Sequence, residues 1–374
     1  MPSVKYTGTF LDHSGYGSAN RNFIAALHTA RVEVTTELVI QVAERAIFGW
    51  TGELAKALLG RKVPYKIKII HLTPDMYPNY MEAGKYHIGH LFWETDRLPK
   101  EWVEPCNRMN EIWTASEPQA QMIRDSGVVI PVYAIPQAID LYPAQKIIDP
   151  YILPNFDGMV FYSIFQWIER KNPRALVVNF WKAFEGIRDV ALVIKAHGFN
   201  YSEAQFEKIR QDVKQWKSEV PLLDYPRVYW VKKLLTTDEI YRLHRTGDCY
   251  VNTSRGEGWC IPAVEAAMMG NPVISIDKTG FADYFSKEEE IFYPCSTSID
   301  KVKEVPSIPW YTVKQNWLEI SAADLVNQMR SVYNSTDTAK KRGKKAQKFV
   351  AQNFNYLAVG NLMSDRLKEI EKSL

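Results

Sequence analysis

A chain of 374 residues is too long for one ordinary hydrophobic core and suits two domains of roughly 150 to 200 residues each. Its 46% apolar content can fill both cores, and a formal net charge of +3 argues against nucleic acid, whose phosphates call for a dense basic surface. No apolar run reaches the roughly 20 residues that span a bilayer, the start from Met1 to Tyr6 lacks a signal-peptide pattern, and Cys106, Cys249, Cys260 and Cys295 lack metal-ligand spacing, so a reducing cytoplasmic setting is expected.

Val4 to Phe10 predicts a first strand, followed by the glycine loop from Asp12 to Gly17 and a helix from about Ser18 to Thr29. Gly15 and Gly17 suit a ligand loop and equally an ordinary strand-to-helix turn. Lys66 to His71 and Tyr86 to Trp93 read as further strands, the second ending in the acidic pair Glu94 and Asp96. His71, His87 and His90 could meet an acceptor, although a histidine near a strand is more often a hydrogen-bonded structural residue. Asp140 to Pro154, with its prolines and mixed polarity, reads as a linker. Met159 to Ile164, Ala191 to Lys195, Arg227 to Val231, Asp248 to Asn252 and Val273 to Ile276 are strand candidates separated by helical segments, which predicts a second doubly wound sheet. Lys195, at a strand end, is either a rim residue or simply solvated. Cys295 to Pro309 reads as a surface loop. The basic tract from Lys340 to Lys345 reads as a solvated helix face, with peripheral contact at an anionic inner membrane face as the alternative.

The most informative stretch runs from Ser254 to Ser275. Gly256, Glu257 and Gly258 interrupt the strand before them, Pro262 suits a helix start, Ala263 to Met269 favours helix, and Gly270-Asn271-Pro272 stops it before the next strand. The unit is a βαβ crossover with its loop at the carboxyl end of a parallel strand, where open α/β sheets bind ligands. The N–H groups of Gly258, Trp259, Cys260 and Ile261 point between Glu257 in the loop and Glu265 one turn into the helix, with the positive end of the helix dipole behind them. An acid on each side of an anion-binding helix start suits a sugar joined to a nucleoside diphosphate: Glu257 would hold sugar hydroxyls and Glu265 ribose hydroxyls. The plainer alternative is an ordinary crossover with solvated acids.

The same residues, from Ser254-Arg255 through Glu257-Gly258, Pro262, Glu265-Ala266, Gly270 and Pro272-Val273-Ile274, resemble the Glu-x7-Glu signature of retaining glycosyltransferases of family 4. That resemblance implies an α/β GT-B fold of two facing Rossmann-like domains with a cleft between them. It extends from about residue 6 to the end, more loosely in the first half. Arg170 and Lys171, before Asn172-Pro173, match a pair that contacts the donor diphosphate, while Ile164-Phe165-Gln166 stands where the family often has a further Arg. Trp113 to Glu117 resembles the family's W-x-x-S-E strand end, and Ile135 to Asp140 its interdomain segment, with Gln137-Ala138 replacing His-Gly. Trp317 to Tyr333 and Phe349 to Leu374 resemble the closing helices.

The resemblance implies residues 1–145 as an acceptor domain, 155–345 as a nucleotide-sugar domain, and 346–374 as a C-terminal helix packing back on the first. It implies a retaining transferase that takes a sugar from a nucleoside diphosphate sugar to a glycan, lipid-linked or other hydroxyl acceptor. Glu257, Arg170 and Lys171 would act at the reacting centre. Glu265, Gly256, Gly258, Trp259, Cys260, Ile261, Gly15 and Gly17 would bind the donor, and His90, Glu94 and Asp96 the acceptor. No cofactor or metal is expected: Glu94-Thr95-Asp96 is a near match to a metal-holding Asp-x-Asp pair, but it lies in the first half. A nucleotide-sugar epimerase, a phosphorylase (for which no pyridoxal phosphate lysine motif is seen) and a non-catalytic sugar-nucleotide-binding subunit are the alternatives.

Overall fold

A computed structural model of the protein describes residues 1–39, 49–303, 305 and 308–374. Residues 1–141 together with 351–374 form one compact unit, and residues 142–350 form the other. The first is built on β1 (Ser3–Gly8), β2 (Glu33–Leu38), β3 (Ile67–His71), β4 (Tyr86–His90), β5 (Glu111–Thr114) and β6 (Val132–Ala134), all parallel in the order β2-β1-β3-β4-β5-β6. The second contains β7 (Met159–Gln166), β8 (Val190–His197), β9 (Arg227–Val231), β10 (Cys249–Val251), β11 (Val273–Ile276) and β12 (Tyr293–Cys295), parallel in the order β12-β11-β10-β7-β8-β9.

Each sheet reverses direction of growth once, at β1/β3 in the first unit and at β7/β10 in the second. Apolar strands covered on both faces explain the parallel arrangement, since helices return over each face. β8 shows this most fully, with Val190 through Ala196 all buried. In the second unit Trp167 stacks on Trp216 with ring centroids 5.6 Å apart, fastening the turn after β7 to the helix Glu203–Glu219.

The first glycine loop gives way to helix sooner than the sequence suggests. Ser14 caps the helix Gly15–Thr29 by accepting the Gly17 N–H at 3.0 Å, so both glycines lie in its first turn. Gly17 is required there, because a Cβ would stand 2.5 Å from the Asp12 carbonyl oxygen, whereas one at Gly15 would meet nothing. Two other expectations are corrected. The stretch from Cys295 to Pro309 is not simply a loop: β13 (Thr297–Lys301) pairs antiparallel with β14 (Asn316–Ile320), while residues 304, 306 and 307 lie outside the described residues. Trp317 to Ile320 is accordingly strand, and the helix Ala322–Asn334 starts only after Ser321, whose side chain accepts the Asp324 N–H at 3.2 Å. The helix Tyr356–Ser373 packs on Gly15–Thr29, and Gly360 allows the approach because a Cβ there would sit 2.2 Å from the Ala26 carbonyl oxygen.

The basic tract lies on the helix Thr336–Asn353, where Arg342 donates to the Phe292 carbonyl at 2.9 Å and Lys345 pairs with Glu290 at 3.0 Å. Among the described residues no helix is long and apolar enough to cross a membrane.

At the carboxyl ends of β3 and β4 the first unit encloses two imidazoles. His71 and His90 stack with centroids 4.3 Å apart, both 0% exposed, with Phe23 against the His90 ring at 4.3 Å. Tyr6 and His71 share a 2.6 Å hydrogen bond, but neither nitrogen of His90 has a partner among the described residues. Burial holds the His71 pKa down at about 3, and burial reinforced by the neighbouring His71 ring holds His90 well below its usual value. A histidine with a depressed folded pKa contributes stability above the unfolded value of about 6.5 that is lost as pH falls below it. Unfolding free energy of the first unit should therefore drop by about 1.4 kcal/mol per pH unit for each ring below pH ~6.5. Urea titrations across pH 7.5 to 5 check this, and His90→Leu should make the slope markedly shallower; an unchanged slope would remove the rings as its cause.

Candidate active site

Local chemistry on two turns brings charge to the β7/β10 switch point. After β7 a short 3-10 turn, Glu169–Lys171, ends at Asn172, whose φ of 51° is left-handed and whose side chain accepts the Ala175 N–H at 3.3 Å to start the helix Pro173–Ala183. Asparagine tolerates this backbone better than most residues, and Pro173 suits the first helical position. After β10 the chain runs through Ser254–Gly258 to Cys260, at φ 73°, before the helix Ile261–Met268.

The two turns meet through ion pairs. Glu257 is 4% exposed; Lys171 Nζ donates to its Oε1 at 2.6 Å and Arg170 Nη1 to its Oε2 at 3.3 Å. Arg170 Nη1 also donates to the Gly256 carbonyl at 2.6 Å. Burial favours the neutral acid, yet Lys171 and Arg170 outweigh it and hold the Glu257 carboxyl below the usual carboxylate range. Lys171 and Glu257 line a small hollow with Ser163, Ile164, Phe165 and Tyr250, at the strand ends where such sheets take ligands.

Glu265 occupies a different environment on the helix Ile261–Met268. Its Oε1 lies 3.4 Å from the Tyr241 hydroxyl and its Oε2 lies 3.4 Å from His244 Nε2, both on the helix Thr237–Thr246. Its side chain keeps 16% exposure, against 5% for that of Glu257.

Several contributors were not singled out in the sequence. Thr279, at φ 68°, accepts the Glu257 N–H on its hydroxyl at 3.2 Å, and its own N–H donates to Asp283 at 3.0 Å. Gly280 follows at φ 61°, where a Cβ would stand 2.7 Å from the Trp259 carbonyl oxygen. Arg255 braces the site: it pairs with Glu319 at 2.7 Å and Glu169 at 3.0 Å, while its N–H donates to the Arg170 carbonyl at 2.7 Å. Arg255 belongs to the Ser-Arg-x-Glu pattern, but its partners come from distant turns that no local spacing reveals.

Among the expected donor residues, Gly256 and Gly258 are buried in the loop. Trp259 is 3% exposed, and its carbonyl accepts the Phe281 N–H at 3.0 Å. Burial, reinforced by Glu257, pushes the Cys260 thiol up to about 12, so this residue offers backbone rather than a thiolate. Ile261 opens the helix. Lys195 is 5% exposed and donates to the Tyr201 hydroxyl at 2.7 Å, which makes it a buried strand-end residue and not a solvated one.

The other candidates belong to the first unit: Gly15 and Gly17 in the first helical turn, and His90, Glu94 and Asp96 at and beyond the end of β4. His90 is enclosed by Phe23, Phe92 and Trp113, so the expected acceptor contact is corrected to a place in the core. Glu94 lies near enough to Tyr16 to help raise its phenol pKa, although burial is the larger cause. Asp96 forms an exposed pair with Arg97 at 2.9 Å.

Comparison with known proteins bears on the fold. The family model described as glycosyl transferases group 1 matches residues 212–305, which include Glu257 and Glu265 but not Arg170 and Lys171. An uncharacterized protein of Sulfolobus islandicus rod-shaped virus 1 is 20% identical over 315 residues, covering 79% of this chain and 83% of that protein. Sucrose-phosphate synthase from Thermosynechococcus elongatus superposes with a TM-score of 0.70 at 14% identity over 100% of both chains. Anabaena HepE, solved with UDP and glucose, gives 0.66 at 12% identity over 99% of this chain and 100% of its own. TarM of S. aureus gives 0.59 at 14% identity over 80% of this chain, which spans 55% of TarM. The chain therefore has the α/β GT-B fold, and residues 212–305 of its second unit are similar to the glycosyl transferases group 1 model.

Proposed function

We propose that this protein is a retaining glycosyltransferase that moves a sugar from a nucleoside diphosphate sugar to an acceptor hydroxyl without a divalent metal. The observation that carries the reading is the division of two carboxyl groups across one strand-to-helix turn at the switch point. Glu257 is tied to Lys171 and Arg170, and Glu265 to His244 and Tyr241.

The chemical problem is departure of a diphosphate from a sugar carbon that takes on positive charge. Fixed positive groups aimed at the leaving oxygens lower that barrier without reorganising during the reaction. Lys171 and Arg170 set against Glu257 leave a net charge of one positive unit at the hollow. The ammonium has N–H donors beyond the one directed at Glu257, and these suit phosphate oxygens. Glu257 has two roles in this reading: it aims the cations and accepts hydrogen bonds from sugar hydroxyls. Glu265, whose side chain keeps 16% exposure, takes the ribose hydroxyls. Attack on the face from which the diphosphate leaves, with a diphosphate oxygen receiving the acceptor proton, preserves the anomeric configuration. It needs no covalent sugar–enzyme intermediate of the kind retaining hydrolases form.

The family match supports a donor that is a nucleotide sugar, and the solved relatives held with UDP make UDP the first nucleotide to test. The acceptor is proposed as a glycan or another hydroxyl compound. All four cysteines are free and buried, which fits a reducing compartment.

A thermal-shift panel of UDP, GDP, ADP and their sugar conjugates tests the donor site, because a ligand of the native state stabilises it by RT ln(1 + [L]/Kd). Product analysis by NMR then separates a glycoside of retained configuration from the free epimeric donor that an epimerase would release.

Glu265→Ala should weaken the nucleoside diphosphate by about 1.5–3 kcal/mol, the range for a hydrogen bond to a charged group. Unchanged affinity in calorimetry would end the ribose assignment.

Glu257→Ala should destabilise the second unit by about 3 kcal/mol, since it strands two largely buried cations. Glu257→Ala combined with Lys171→Met should recover part of the loss, as read by urea unfolding. Simple additivity of the two single losses would show that the pair is not energetically coupled.

Transfer should continue in excess EDTA with little response to added magnesium or manganese. Loss in EDTA restored by manganese would overturn the role given to Arg170 and Lys171.

A further inference from the structure

Behind Glu265 runs a buried hydrogen-bond chain whose direction can be assigned from its chemistry. Asn271 Nδ2 lies 2.7 Å from the His244 carbonyl oxygen. A carbonyl only accepts, so the amide nitrogen is fixed on that side. The same Nδ2 donates to the Tyr162 hydroxyl oxygen at 2.8 Å. The Tyr162 O–H is then directed at His244 Nδ1, also at 2.8 Å, which makes Nδ1 an acceptor. An imidazole whose Nδ1 accepts carries its proton on Nε2. Nε2 is the atom that faces Glu265 Oε2 at 3.4 Å.

His244 is 0% exposed and Tyr162 is fully buried, so water does not compete for these bonds. The elements that supply them are separate: β7 gives Tyr162, the helix Thr237–Thr246 gives His244, and Asn271 follows the helix that carries Glu265. Gly247 makes room for the chain, since a Cβ there would stand 2.0 Å from Tyr162 Cδ1. With the other tautomer, the Nε2 lone pair would point at the carboxyl oxygen and the contact would be repulsive.

We propose that His244 is a positioning residue for the donor ribose: its Nε2–H holds the Glu265 carboxyl in the orientation that accepts the two vicinal ribose hydroxyls, and Tyr162 and Asn271 set the tautomer that makes this possible. The proposal rests on the ribose assignment of Glu265 made above. Tyr241 supports the other oxygen from the same helix at 3.4 Å, so each carboxyl oxygen has a partner there while the side chain keeps 16% exposure. This arrangement serves ribose selection and touches neither the leaving phosphate nor the transferred sugar.

The experiment measures binding of UDP, GDP and ADP, and of their 2′,3′-dideoxy counterparts, to the full chain and to His244→Leu, His244→Gln, Tyr162→Phe and Glu265→Ala. For the diphosphate that binds, His244→Leu should lower affinity roughly tenfold, the scale of one hydrogen bond to a charged group. The dideoxy counterpart should lose less than about twofold, because the missing hydroxyls are the groups the chain serves. His244→Gln, whose amide nitrogen stands in for Nε2–H, should recover most of the loss. With donor sugar, KM should rise while kcat at saturation holds. Equal loss of both nucleotide forms, or no loss, overturns the proposal.

Should His244→Leu not fold, Tyr162→Phe must show the same hydroxyl-dependent loss. Side-chain ¹⁵N spectra of the native protein must also show His244 protonated on Nε2, and protonation on Nδ1 alone sinks the proposal. If Glu265→Ala leaves affinity unchanged, or none of the three nucleotides binds, the ribose assignment itself falls. If Glu265→Ala weakens binding and His244→Leu does not, only the positioning role falls.

Discussion

A carboxylate with 4% exposure cannot remain ionised without partners, and Glu257 obtains them from a turn nearly ninety residues earlier in the chain. That requirement draws the turn after β7 onto the turn after β10. Once there, Arg170 also accounts for the Gly256 carbonyl, and Arg255 returns the favour by donating to the Arg170 carbonyl. Arg255 in turn recruits Glu319 from β14 and Glu169 from the 3-10 turn. The site is thus the end of a sequence of charge satisfactions, and its geometry follows from burial as much as from any ligand. Such an arrangement suits electrostatic catalysis, because its groups are already fixed before substrate arrives.

The two acids of the site are held by different physics. Glu257 sits among cations and gains its low pKa from them. Glu265 faces a hydroxyl and an imidazole nitrogen, reached through longer contacts, and its side chain keeps 16% exposure. One is locked into a charge cluster and the other is held by neutral partners on a neighbouring helix. A single helix start separates these two surroundings.

The two units repeat one topological device with different chemistry. Both sheets reverse growth beside their first strand, and both gather polar residues at the carboxyl ends there. In the second unit these are ions. In the first, His71 ends β3 at the switch point and stacks on His90 from the neighbouring β4, both kept uncharged by burial. Fold repetition therefore says little about what each switch point does, and the residues decide it.

Much of this was legible in order along the chain. Apolar runs and glycine or proline stops placed Val273–Ile276 at its observed bounds, because a buried parallel strand needs continuous apolar sequence and helices stop at such breaks, and they also placed the more exposed edge strand Arg227–Val231. Glu257 and Glu265 stood out for the same local reason, eight positions apart across a strand-to-helix turn. The hairpin of β13 and β14 was not legible, since its pairing is made across an intervening stretch and Trp317-Leu318-Glu319-Ile320 reads equally as the start of a helix. Nor was the burial of His90, whose surroundings come from Phe23 and Trp113 on other elements. Sequence alone determined the periodicities, the turns and the residue types at the strand ends, all of which depend on neighbours in the chain. Only the tertiary structure decided that Lys171 meets Glu257, that Arg255 is a brace, and that Tyr162 orients His244 toward Glu265, because hydrogen bonds and ion pairs between distant segments exist only once the sheet has brought those segments together.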